Sequence, residues 1–218
     1  QNASYNTVSL STVVARGLGD RYPVRLLGGS SYNTFSRLLV TNDIAGGVVA
    51  TGQSNYNRVE LSTIVTGGAG GNAYGILLNT VSSWTISGNY VQGTTGAYVT
   101  RSTGSVFAGN VIVSSANAVY LTVGSVNLTL TSNTLVALPG ASGGVLLDPG
   151  NSGVVLLTSN TVRSGHLYGV SIGTQTAGTS VWVTSNTVEV TPNAVSDAYG
   201  LLFDGLQTGA TLEHNTVV

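Results

Sequence analysis

The chain has 218 residues, with 7 Lys+Arg against 8 Asp+Glu and a formal net charge of −1. Charged residues make up only 7% of it, against roughly 25% in an average globular domain. This composition excludes a disordered chain, which needs high charge and low hydrophobicity, and offers no basic patch for nucleic acid. No apolar run approaches the ~20 residues that span a bilayer, so no membrane insertion is expected. The absence of Cys excludes a disulfide scaffold and a thiolate metal site.

The chain opens at Gln1 with no initiator Met and no charged-then-apolar leader. Together with a hydroxyl- and amide-rich surface, this predicts a secreted or cell-surface protein, or a fragment of a longer one. The predicted elements then follow as a repeat. LSTVVA begins at Leu10, FSRLLV at Phe35, LSTIVT at Leu61, ISGNYV at Ile86 and FAGNVI at Phe107. LTSNTL follows at Leu130, LTSNTV at Leu157, VTSNTV at Val183 and LEHNTV at Leu212. These nine copies recur at steps of 21 to 29 residues, each opening on a large apolar anchor. Three residues past the anchor stands Asn89, Asn110, Asn133, Asn160, Asn186 or Asn215.

A second strand lies about midway through most repeats. It reads PVRLL from Pro23, GVVA from Gly47, GILL from Gly75, AYVT from Ala97, AVYL from Ala118, GVLL from Gly144, GVSI from Gly169 and GLLF from Gly200. Alternate residues such as Ile76 and Leu78 would point inward together. The segments between are clusters of Gly, Asn, Asp and Ser, the residues that tolerate tight turns. No 3.6-residue periodicity runs through any long window. The predicted fold is therefore all-β: one domain over 1–218, a right-handed parallel β-helix of about nine coils of ~25 residues. Identical Asn side chains stacked at the strand spacing would donate and accept along the rod, so the Asn column is expected to be a structural ladder.

With these motifs in place, the sequence resembles the right-handed parallel β-helix proteins of the pectate-lyase-like superfamily, whose coils carry Asn and Ser ladders at inward turns. The resemblance implies the fold over nearly the whole chain. It leaves polysaccharide lyases and hydrolases, phage tailspikes, adhesins and repetitive surface proteins all open, because fold alone does not select function.

Cleavage of a polysaccharide requires placed acids and bases. The acids are Asp20, Asp43, Glu60, Asp148, Glu189, Asp197, Asp204 and Glu213, and no DD or DxD occurs. Asp148 and Asp204 form the best candidate catalytic pair, each just after the second strand, two layers apart with Gly173 between. That is ~9.6 Å, at the edge of the inverting range for glycosidases. In the bland reading, DPG and DG are turns in which Asp caps its own backbone. Arg58 and Glu60 flank an inward Val59 and read as surface charges. His166 and His214 lie far apart in the repeat, so neither a metal nor another cofactor is expected.

Tyr74, Tyr98, Tyr120, Tyr168 and Tyr199 recur near the start of the second strand, as ridge packing or a sugar-stacking stripe. Asn2 and Asn127 head N-x-S/T sequons and are glycosylation candidates. Thr134, Thr161, Thr187 and Thr216 form a hydroxyl column, which raises ice binding as a minor alternative. β-prone sequence runs to both termini without a cap, and near-zero charge favours association. The function expected from these features is non-catalytic: a building block of an extracellular filament whose coils stack head to tail with copies of itself. A segment of a larger glycan-binding adhesin, stacked on neighbouring coils of its own chain, is the alternative, and a polysaccharide-cleaving enzyme comes third.

Overall fold

The computed structural model describes residues 2–16, 22–67, 73–191, 197–205 and 209–218; Asp20 lies outside them. Three parallel sheets wrap one continuous core. Sheet A holds nine strands from Thr7–Ser9 to Ala210–Glu213, sheet B nine from Thr12–Ala15 to Thr216–Val217, and sheet C eight from Val24–Leu26 to Tyr199–Asp204. Each strand pairs in parallel with the equivalent strand one coil away. Among the described residues, eight coils therefore contribute to all three sheets and a ninth to two, slightly fewer complete coils than predicted.

The repeat predicted as one strand is two. In the sixth coil, Val126–Thr131 lies in sheet A and Thr134–Ala137 in sheet B. The bend between them needs one residue in the left-handed region, then the ladder Asn. Gly88, Gly109, Ser132, Ser159, Ser185 and His214 fill that corner, with φ of 64°, 63°, 55°, 57°, 57° and 54°. The motif spans the corner at which sheet A ends, and its Asn stands at an inward turn.

Register corrects the frame of two early copies. Val8 pairs with Phe35, Phe35 with Val59 and Val59 with Ile86, so the inward column passes through Val8 and Val59. Leu10 and Leu61 stand two residues later, at the corner, with φ of 51° at both, and they are 76% and 57% exposed. A two-residue slip preserves the alternation of faces, so an apolar side chain at either place reads alike in the sequence.

Glycine has a fixed place where sheet B turns into sheet C. A Cβ on Gly47, Gly75, Gly96, Gly144, Gly169 or Gly200 would run into Ile64, Val91, Ile112, Val162, Val188 or Val217 respectively. Each of those partners is β-branched. The same register puts Ala118 in the glycine column, because Ala97 pairs with Val119 and Gly96 therefore stands opposite Ala118. Its counterpart in sheet B is Leu135, which follows Ile112 in register and carries its branch one carbon further out. Alanine is accommodated where the facing residue leaves room at Cβ.

Candidate functional site

The six ladder asparagines lie at the corner between sheets A and B, buried except for Asn215. Asn133 illustrates the bonding. Its Oδ1 accepts from the backbone N–H and the Nδ2 of Asn110, at 2.9 Å each. Its Nδ2 donates to Phe107 O and to Asn160 Oδ1, both at 2.9 Å. From Asn110 through Asn186 each amide oxygen takes two donors and each amide nitrogen gives at least two. Asn89, at the head of the ladder, takes one donor, the backbone N–H of Ser62. These residues are fully occupied with one another and hold the rod together.

Sequence reading missed a second ladder. At the corner entering sheet A, Asn6 Nδ2 donates to Asn33 Oδ1 and Asn33 Nδ2 to Asn57 Oδ1, both at 2.9 Å. The residue before each of these asparagines is a tyrosine in the left-handed region: Tyr5, Tyr32 and Tyr56, with φ of 60°, 60° and 56°. Their rings stack with centroids 5.0 and 4.9 Å apart and planes within 1° and 7°. The signal was available as SYNT at 4–7, SYNT at 31–34 and NYNR at 55–58.

Chemistry-bearing side chains gather on the outer face of sheet C. Strand Asn117–Leu121 turns Val119 and Leu121 into the core and Tyr120 outward. Tyr98 pairs with Tyr120 in the adjacent coil, and their ring centroids lie 5.2 Å apart, edge to face. Tyr74 lies 4.8 Å from Tyr98. One coil beyond Tyr120, strand Gly143–Leu147 ends and Asp148 begins the following turn. Its backbone N–H donates to Leu121 O at 2.8 Å, and its backbone carbonyl accepts from Asn151 Nδ2 at 2.7 Å. So held, Asp148 Oδ2 accepts from Tyr120 Oη at 2.6 Å. Tyr168 Oη reaches two coils back to Asn117 Oδ1 at 2.9 Å, across Gly143, where any Cβ would meet its ring.

The electrostatics keep these phenols protonated. Burial first, then the hydrogen bond to Asp148 and its charge, raise the Tyr120 pKa far above the ordinary phenol value. Burial and the Asp148 charge push Tyr168 up to about 12. Burial raises Tyr74, with smaller contributions from Tyr98 and Tyr22. Around Asp148 the site thus presents fixed O–H donors beside one carboxylate.

The predicted Asp148–Asp204 column is present in register. Leu147 pairs with Ile172, Ile172 with Phe203, and Gly173 with Asp204. Asp148 nevertheless turns its Oδ2 to the preceding coil, away from Asp204, and the Pro149 ring lies against Gly173 between them. Tyrosine, not the second acid, is the partner of Asp148. The five tyrosines also divide into two columns: Tyr98 and Tyr120 pair with each other, whereas Tyr168 pairs with Tyr199.

The remaining candidates are dispersed. Arg58 and Glu60 form an ion pair at 3.2 Å outside sheet A. His166 has a buried Nδ1 without a hydrogen-bond partner, whereas His214 sits exposed at a corner. Asn2 and Asn127 are exposed and left-handed, with φ of 60° and 53°, and Asn127 Oδ1 accepts from Val154 N–H at 2.8 Å. Thr134, Thr161, Thr187 and Thr216 are in register along sheet B.

Residues 24–188 match the family model described as right handed beta helix region, and the chain belongs to that family. Two solved structures share the fold. An alginate lyase from Paenibacillus sp. str. FPU-7 aligns over 94% of this chain and 79% of its own, with a TM-score of 0.68 and 17% identity. The Dettilon tailspike protein aligns over 99% of this chain and 55% of its own, with a TM-score of 0.58 and 14% identity. No curated protein matches the sequence.

The lyase likeness overturns the expectation of a non-catalytic protein. That expectation rested on the scarcity of charged residues and of carboxylate pairs, and a count of charges does not register a neutral acid such as a buried phenol.

Proposed function

We propose that the protein binds and cleaves a polysaccharide lying along the outer face of sheet C, with Tyr120 and Asp148 as the reacting groups. The observation that carries this reading is the 2.6 Å contact between Tyr120 Oη and Asp148 Oδ2, placed at the end of the tyrosine strip from Tyr74 through Tyr98. Elimination from a uronate polymer removes the proton beside the carboxyl group and breaks the bond to the leaving glycosidic oxygen. A carboxylate can take that proton, and a phenol held protonated can supply one to the leaving oxygen. Asp148 and Tyr120 are suited to these two roles, and the tyrosine rings offer sugar faces a surface to pack on. The fold shared with an alginate lyase supports a uronate polymer as substrate, and action on such a polymer fits the predicted extracellular setting.

The test is incubation with alginate, pectate and a neutral glucan. The readouts are ultraviolet absorbance of unsaturated ends, new reducing ends, and retardation in polysaccharide-containing gels. Native protein is expected to act on at least one uronate polymer, and Tyr120→Phe and Asp148→Asn to lose most of that turnover with unchanged melting. The reading fails if no polymer is bound or cleaved, or if both variants work as the native chain does.

A second reading, a unit that stacks head to tail with its own copies or with further coils, draws on the unbroken parallel ladders of all three sheets. Electron microscopy across a concentration series decides it. Regular filaments would support it, and isolated short rods at every concentration would sink it.

A further inference from the structure

A different face of the rod carries a built site that the sheet C reading does not use. The corner entering sheet A requires left-handed backbone in each of the first coils. Further along, the same corner is filled by Ser83, Gly104 and Asn127, with φ of 56°, 64° and 53°. Gly and Asn enter this conformation readily, and serine brings only a small side chain to it. Tyr5, Tyr32 and Tyr56 are bulky, yet adopt it while 78%, 48% and 52% exposed. Left-handed backbone is unfavourable for an ordinary L-residue, and rings this exposed recover little of that by burial. Their geometry yields a rigid aromatic stack standing off the surface.

The stack ends at Tyr56. Tyr56 N–H donates to Ser82 O, so the neighbouring corner residue in the adjoining coil is Ser83, and among the described residues no ring stacks on the second face of Tyr56. Beside it lies a cavity of about 390 Å³ lined by Tyr32, Tyr56, Thr34, Arg58, Ser83 and Thr85 among others. Arg58, which lines the cavity, is paired at 3.2 Å with Glu60, which lies next to that lining rather than in it, so a donor and an acceptor stand side by side at the cavity's edge. Thr34, Arg58 and Thr85 share one register column on sheet A, so hydroxyls flank the ion pair on both sides. An aromatic face, a neutral donor–acceptor pair and a row of hydroxyls make a surface for a ring that is apolar on its face and hydroxylated at its rim.

We infer that this cavity is a glycan-binding subsite for neutral, equatorially substituted hexopyranoses. The axial C–H face packs on Tyr56, one hydroxyl of a vicinal pair accepts from Arg58, and its neighbour donates to Glu60. Binding here is independent of the chemistry proposed at Tyr120 and Asp148, which lie on sheet C.

Calorimetric titration with cellopentaose, alongside an oligomannuronate of equal length, tests the inference. Tyr56→Ala is expected to weaken cellopentaose binding about tenfold or more, and Glu60→Gln to weaken it less. Tyr5→Ala, which removes a ring from the same stack away from the cavity, is expected to leave it unchanged. Melting curves of each variant separate lost binding from lost fold. Any of three results overturns the inference: no binding of cellopentaose by the native chain, equal loss in Tyr5→Ala and Tyr56→Ala, or tighter binding of the uronate oligomer.

Discussion

The first three coils and the later coils solve one structural problem at different corners. In coils one to three the ladder runs through Asn6, Asn33 and Asn57 where the chain enters sheet A. From coil four onward it runs through Asn89 to Asn215 where the chain leaves sheet A. The vacated positions become apolar or small: Trp84 and Leu128 at the entering corner, and Leu38 with Ser62 at the leaving one, all buried. The hand-over is marked by Ser62 N–H donating to Asn89 Oδ1 at 2.9 Å, and by Trp84 Nε1 donating to Ser54 O. The fold thus requires one continuous amide ladder per region, and either corner serves. The corner carrying the early ladder also carries the tyrosine stack.

The largest expected effect comes from cutting the longer ladder at its middle. Asn133→Ala leaves the N–H and Nδ2 of Asn110, the carbonyl of Phe107 and the Oδ1 of Asn160 each without a partner that Asn133 now supplies. Stranded buried groups cost about 1–3 kcal/mol each, and partial relaxation makes a total loss of about 3–4 kcal/mol the expectation in urea unfolding. Asn6→Ala, at the outer rung of the short ladder beside partly exposed groups, is expected to cost about 1 kcal/mol. Equal losses would show that burial of the ladder does not set its strength.

The glycine column gives the next effect and separates shape from hydrogen bonding. Gly96→Ala places a methyl group on Ile112 and 2.6 Å from the carbonyl oxygen of Ala118. Overpacking of this kind costs about 1–3 kcal/mol. Leu135→Ile tests the same rule from the other side, since it moves a branch to the carbon that faces Ala118. It should cost about 1–2 kcal/mol in the native chain, and less when combined with Ala118→Gly. Additive costs in that double variant would dissociate the glycine column from the β-branched residues of sheet B.

Much of this was legible in the sequence, and the failures have a common form. Parallel stacking, the six-residue Asn column and the alignment of Asp148 with Asp204 through Gly173 could all be read from spacing. Spacing reports which residues share a column. It does not report where the chain bends, so SN and GN pairs inside an apparent strand concealed a sheet boundary. Nor did it flag Leu10 and Leu61, because leucine is a poor sequence marker for left-handed backbone. The glycines of GILL and GVLL read only as the first residues of their strands, whereas their place is set by β-branched side chains from another strand. At the candidate site the acid was identified and its partner was not. Tyr120 and Asp148 are 28 residues apart, and only the coil-to-coil register joins them.

The smallest expected effect is a gain, and it probes the hand-over directly. Ser62 already occupies the ladder position upstream of Asn89: its N–H donates to Asn89 Oδ1, and its Oγ accepts from Leu38 N–H at 3.0 Å. In Ser62→Asn, the bond that Ser62 Oγ donates to Glu60 O is lost, and the new Oδ1 would take over the bond from Leu38. The new Nδ2 would reach both Asn89 Oδ1, as Asn110 Nδ2 reaches Asn133, and Phe35 O, as Asn89 Nδ2 reaches Val59 O, a net gain of one bond. One added buried hydrogen bond contributes about 1 kcal/mol, so a rise of that order in unfolding free energy is expected if the later ladder can grow into coil three. The substitution leaves Asn33 and Asn57 untouched, so both ladders would then occupy the same coil. A stable variant would mean that the two corners are independent and that the switch between them reflects the sequence of each coil. A destabilised one would mean that the side chain at Ser62 is limited by packing against its neighbours, and that the early coils keep their ladder at the other corner because this one is too narrow for an amide.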